Sequence, residues 1–187
     1  MSLPPFERWN RIAQALHWLI ALLIVGMGVL GLTMTQMDPS MAKLKVYALH
    51  KSIGLTVLAL VAARLLWRLA HRAPPPLPMP RWQRRSAQAM HAVLYLLIAA
   101  MPLSGWLYNS AANFPLQWFG WLQVPSLWHA DPQLKHYAHT FHETAFWLLM
   151  ALVALHAAAA LKHHFVDRDA TLARMLPGLP PPAGDAP

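Results

Sequence analysis

Three long stretches of this chain contain no Asp, Glu, Lys or Arg: residues 12–37, 86–130 and 144–161, of 26, 45 and 18 residues. A helix needs about 20 predominantly apolar residues to cross a bilayer. Runs of this kind suit lipid rather than the interior of a water-soluble domain. Composition agrees, with 57% of the 187 residues hydrophobic and 12% charged, against roughly 25% charged in an ordinary soluble domain. The chain is read as an integral membrane protein, and a soluble enzyme is excluded.

Four spans follow, near residues 12–32, 47–69, 88–108 and 141–161. The fold class expected is all-α, a four-helix transmembrane bundle over residues 1–176, with a proline-rich tail at 177–187 expected to be disordered. The first apolar run is longer than the roughly 7–15 residues of a signal-peptide core, and no Ala-x-Ala-like site follows it. It is therefore expected to stay as the first span. Lys51 and Arg64 stand near the ends of the second span, where long side chains can snorkel to the interface. Pro102 lies inside the third and is expected to kink it. The connector 73–80 holds five prolines and reads as extended. The loop 109–140 carries Trp118, Trp121 and Trp128 and reads as an interfacial aromatic segment.

Charge sets the orientation. Arg8 and Arg11, the six arginines from Arg64 to Arg85, and Lys162, Arg168 and Arg174 fall on one side, eleven basic residues in all. Lys43, Lys45, Lys51 and Lys135 fall on the other. The positive-inside rule then puts both termini in the cytoplasm. The formal charge of +8 is assigned to lipid headgroups, not nucleic acid, because the basic residues flank apolar spans. The absence of cysteine excludes disulfides, Cys-ligated iron–sulfur clusters, thiolate zinc sites and covalently attached c-type haem.

Histidine supplies the chemistry. His17 lies near the cytoplasmic end of the first span and His156 near the cytoplasmic end of the fourth. His50 opens the second span and His142 the fourth, both at the outer face. The four sort by depth into an inner and an outer pair. His142 and His156 are 14 residues apart, close to four helical turns, so both project from one face about 21 Å apart. That is too far to share one ion, but suits two cofactors stacked across a membrane. A haem takes one or two axial ligands, and two imidazoles are a common pair. It also needs small residues beside it; Gly26, Gly28 and Gly31 lie on the first span, Gly54 follows His50, and four alanines follow His156.

Any one of these histidines alone could be an intramembrane hydrogen-bonding residue; pairing by depth points to ligands. His91 is the competing ligand, with a propionate contact, a quinone contact or an interhelical hydrogen bond as its other roles. His71, His129, His136, His139, His163 and His164 read as solvated loop or interface residues.

Ala15-Leu16-His17-Trp18, Leu49-His50 through Gly54, His142-Glu143-Thr144 and Leu155-His156-Ala157-Ala158-Ala159 with His163-His164 behind it, taken in this order, resemble the bacterial cytochrome b561 family. That family is related to the cytochrome b subunits of nickel–iron hydrogenases. Residues 169–177, with Thr171-Leu172 and Arg174-Met175, resemble its C-terminal end. The resemblance implies two haem b groups, one held by His17 and His156 and the other by His50 and His142. It implies a bacterial inner-membrane cytochrome that oxidises superoxide on the periplasmic side and reduces ubiquinone. The alternative is an electron-transfer and anchor subunit of a larger hydrogenase or dehydrogenase, with a redox partner protein. A metal or small-molecule transporter using the same histidines is a third reading.

Overall fold

The computed structural model describes residues 7–181 and contains four long helices. These are α1 (Arg11–Gln36), α2 (Met41–Ala70), α3 (Arg81–Ala111) and α4 (Pro132–Phe165). Each contains one of the expected spans and runs past it at both ends. At 26 to 34 residues and about 1.5 Å per residue, all four exceed a hydrocarbon core of about 30 Å. They are long and apolar enough to cross a membrane, and the chain is a multi-pass membrane protein. Large side chains such as Leu22, Val29, Leu66 and Leu96 point outward, where lipid replaces water as the solvent.

Helix starts are set locally. Asn10 accepts from the Ala13 amide, Ser40 from the Lys43 amide, and Asp131 from the Gln133 and Leu134 amides, with Pro132 in the first turn behind it. Each oxygen satisfies a donor that the first turn leaves without a helical partner. Helix α3 follows Pro80 without a side-chain cap and continues through Pro102, which gives the Ile98 carbonyl no amide to accept from.

The close backbone packings are α1 on α2, α2 on α3 and α3 on α4; α1 and α4 make almost none among the described residues. The bundle is therefore a row folded round on itself with one side open. Lipid tails are as apolar as these side chains, so helix association rests on packing and polar ties. The packing is a mid-depth layer with two residues from each helix: Ile20 and Ile24, Val57 and Val61, Leu94 and Leu97, Ala145 and Leu149. Spacings of three or four put both members of each pair on one face.

At one end, here the terminal end, residues 8–18 and 170–179 meet. The Trp9 amide donates to the Arg174 carbonyl, and Gln14 and Trp18 donate to the carbonyls of Arg174 and Met175. Ala170 and Ala173 in this segment are nearly sealed from solvent. Of the tail expected at 177–187, the Leu179 carbonyl accepts from Arg8, and residues 182–187 lie outside the described residues.

The opposite end carries a feature that the aromatic loop did not announce. Strands β1 (Leu116–Trp118) and β2 (Leu122–Val124) pair antiparallel. Phe119 and Gly120 turn the hairpin with φ of 51° and 76°, the left-handed backbone that such turns need. The Ser52 hydroxyl accepts from the Phe119 amide at 2.9 Å, and Trp118 donates its indole N–H to Thr56 at 3.1 Å. These ties dock the hairpin on α2.

Candidate functional site

The two histidine pairs expected from depth meet in space. His17 on α1 faces His156 on α4 at the terminal end, with ring centroids 6.3 Å apart. His50 on α2 faces His142 on α4 at the hairpin end, with centroids 6.4 Å apart. The spacing has a chemical meaning. A metal–imidazole nitrogen bond is about 2.0–2.1 Å, and the ring centre lies about 1.1 Å further back, so two imidazoles on opposite sides of one ion put their centres about 6.3 Å apart. Both pairs match that separation. His91 lies at 5.4 Å from His156, too close for the same arrangement, and stands beside the terminal-end pair.

The hairpin-end pair is built from small residues and a polar brace. A methyl group on Gly31 would stand 3.4 Å from His50 Cε1, and one on Gly105 would stand 3.3 Å from His142 Cε1. Both glycines therefore let an imidazole lie against helix backbone. His142 Nδ1 is 3.0 Å from the Met101 carbonyl oxygen and 2.9 Å from Ser104 Oγ. A carbonyl only accepts, so Nδ1 carries the proton, and Nε2 is the nitrogen left for a ligand. The Ser104 hydroxyl gives its own proton to the Met101 carbonyl at 2.8 Å. His50 has no such brace; its Nδ1 is buried without a hydrogen-bond partner among the described residues.

Gly54, expected beside a cofactor at His50, faces the Met27 methyl at 3.7 Å. Gly28 faces Met150 and Phe146 of α4 at 3.3 Å. Those two side chains cross the open side of the bundle at a depth between the two histidine pairs. Neither Ser104 nor Gly105 was marked by the sequence; a serine–glycine step on the helix opposite His142 is a faint signal without the pairing of α3 and α4.

Two basic residues expected to snorkel turn inward. Lys51 Nζ donates to Asn109 Oδ1 at 3.1 Å and lies 3.4 Å from the Pro115 carbonyl, under the loop that leads into the hairpin. Arg64 donates to the Ala13 carbonyl at 2.7 Å and to the Tyr95 hydroxyl at 3.0 Å. Snorkelling satisfies a charge through water and headgroups; here carbonyl and hydroxyl oxygens of neighbouring segments reach it first.

His163 also departs from expectation. Its ring is largely buried against Asp169 at 2.6 Å and Asp167 at 3.3 Å. These three residues form a group of three, among those described, whose ligand atoms are close enough for a single metal ion. Its oxygens are already engaged: Asp167 with Lys162 at 2.6 and 2.7 Å, Asp169 with the Thr171 amide at 2.8 Å. The Lys162 hydrogen bond holds the Asp167 carboxyl below the usual carboxylate range. The arrangement serves as a clasp on the end of α4.

Comparison with known proteins follows the same outline. Residues 8–178 match the family described as prokaryotic cytochrome b561. "Cytochrome b561 homolog 2" of Escherichia coli (strain K12) is 38% identical over 174 residues, which cover 91% of this chain and 92% of that protein. "Cytochrome b561 homolog 1" of the same strain is 31% identical, over 91% of this chain and 98% of that protein. "Probable superoxide oxidase CybB" of Yersinia pestis is 30% identical, over 91% and 97%.

Proposed function

This chain belongs to the prokaryotic cytochrome b561 family, and on that premise we propose that it is a diheme cytochrome carrying electrons from superoxide to ubiquinone across the bacterial inner membrane. Family and helices make it a membrane-embedded electron-transfer protein. The observation that carries the finer reading is the pair of opposed imidazoles repeated at both ends of the bundle, at 6.3 and 6.4 Å.

The donor set fits haem b. Each pair would offer two imidazole nitrogens and no carboxylate or thiolate, a donor set that haem b takes. Bound at these pairs, haem b supplies reversible one-electron transfer, chemistry that the side chains of the spans lack. His17 and His156 would hold it at the terminal end, and His50 and His142 at the hairpin end. Met101 and Ser104 hold the His142 ring in one tautomer. The apolar layer of eight residues keeps water from the space between the two levels.

Charge gives the sides. The terminal end carries the arginine-rich connector and residues 8–9 and 174–179, so it is the cytoplasmic face, and the hairpin end is periplasmic. Lys51, next to His50 in sequence, presents a positive charge there to a small anion. Superoxide is such an anion and a one-electron donor, and the Yersinia pestis relative is named for it. Ubiquinone takes two electrons, so two donor events complete one turnover.

The test is direct. The purified full chain is mixed with a superoxide source and followed in the visible region, then given ubiquinone. Rapid reduction followed by reoxidation supports the reading. Haems that stay oxidised with superoxide but are reduced by a co-purifying dehydrogenase assign the chain to a larger complex as its electron-transfer subunit.

A further inference from the structure

We propose that Arg64 is the ionic partner of a carboxylate of the cofactor held at the terminal-end histidine pair; this rests on the diheme reading above. Arg64 stands on α2 within a membrane-crossing helix, where a permanent charge needs a partner. An ionisable residue at such a depth faces the bundle interior and marks a functional contact. Among the described residues the ion pairs all lie at 162–169, and none includes Arg64.

What it does contact aims it. Its Nη1 donates to Ala13 O and its Nε to Tyr95 Oη. Ala13 is one helical turn from His17 on α1, and Tyr95 is one turn from His91 on α3, so in each case the two residues share a helix face. His17 and His91 both meet His156, at 6.3 and 5.4 Å. The guanidinium is therefore held from two sides at the margin of the terminal-end histidines. Among the described residues two of its five N–H groups are used, and Nη2 keeps both protons for an acceptor.

Two neighbouring guanidiniums of this end are engaged elsewhere. Arg68 lies over the Trp9 ring at 5.5 Å, and Arg174 donates to the Glu7 and Pro75 carbonyls. Haem b carries two carboxylates, and a planar guanidinium fork is the side chain that best matches one. Two neutral hydrogen bonds leave the charge of Arg64 uncompensated, whereas a carboxylate would neutralise it.

Redox titration of the full-length holoprotein, resolved into its two visible components, tests this in wild type, Arg64→Gln and Tyr95→Phe. Removing a cation beside a haem favours the oxidised form. In Arg64→Gln the midpoint of the component that His17 and His156 govern falls, and the component governed by His50 and His142 stays in place. Tyr95→Phe, which loosens the clamp but keeps the charge, leaves both midpoints near wild type. Should Arg64→Gln lose the terminal-end haem outright, Arg64→Lys restores both occupancy and midpoint.

An unmoved midpoint in Arg64→Gln, an equal shift of both components, or an Arg64→Lys variant as empty as Arg64→Gln overturns the assignment. So does a shift present in vesicles of anionic lipid and absent in neutral detergent, which would assign the guanidinium to a headgroup phosphate. A wild-type protein without haem would instead overturn the diheme reading itself.

Discussion

His142 and Ser104 meet across the α3–α4 contact, with Nδ1 and Oγ 2.9 Å apart, beside the Met101 carbonyl that fixes the His142 proton on Nδ1. An acceptor behind a ligating imidazole makes it a stronger donor to the metal. Ser104→Ala removes one of two acceptors and leaves the Met101 carbonyl. The hairpin-end haem is then expected to show a higher midpoint and a weaker hold, at the low end of the roughly 10- to 100-fold that such outer partners are worth. Redox titration with haem-retention measurements checks this, and the terminal-end component serves as the internal control.

Ligand identity separates by end. His156→Ala is expected to remove the terminal-end component and spare the other, and His142→Ala to do the reverse. His91→Ala is expected to keep both, because its ring stands 5.4 Å from His156 and not on the opposite side of an ion. Reduced-minus-oxidised spectra of the three variants decide it. Loss of one and the same component in His156→Ala and His142→Ala would break the pairing.

Two glycines in the same bundle should respond oppositely to a methyl group. Gly26 has nothing within 4 Å of an added Cβ, so Gly26→Ala is expected to stabilise the helix by about 0.5–1 kcal/mol. Gly105→Ala sets a methyl 3.3 Å from His142 Cε1 and must push the ring. It is expected to lower occupancy of the hairpin-end haem. Thermal unfolding in detergent, with haem content read alongside, distinguishes the two.

Lys51 tests the superoxide step. Reversing one charge about 10 Å from an anion's path in water changes the interaction by about 0.8 kcal/mol, or about fourfold in rate. Lys51→Glu is expected to slow reduction by superoxide by about that factor, and the wild-type rate to fall as salt rises. Stopped-flow mixing at two ionic strengths measures both. Lys51→Met separates charge from the brace to Asn109: it should lose about half of the effect in free energy.

Much of this was legible in the sequence because lipid imposes simple rules. Long charge-free runs located three of the four helices and the shorter charge-free stretch 52–63 the second, and depth alone sorted His17 with His156 and His50 with His142. The helix ends were missed because charge marks the hydrocarbon boundary and not the end of the helix. Residues 132–140 carry Lys135, His136 and His139 and remain helical in α4. The inward turns of Lys51 and Arg64 depend on which carbonyls neighbouring segments offer, and no spacing encodes that. The hairpin was hidden because strands of three residues leave almost no alternation to read, and its docking depends on Ser52 and Thr56 of another helix. Gly31 was visible as a small residue, but its partner was not. The ring that lies on it comes from α2, and only the assembled bundle brings the two together.

Haem stoichiometry bears most directly on the opposed imidazoles. Pyridine haemochrome analysis of the fully loaded, purified full chain, set against protein concentration from amino-acid analysis, is expected to give two b-type haems per chain, falling to one in either His142→Ala or His156→Ala. One haem per chain in the loaded wild type, or none, would contradict two ligand pairs at 6.3 and 6.4 Å as a diheme site.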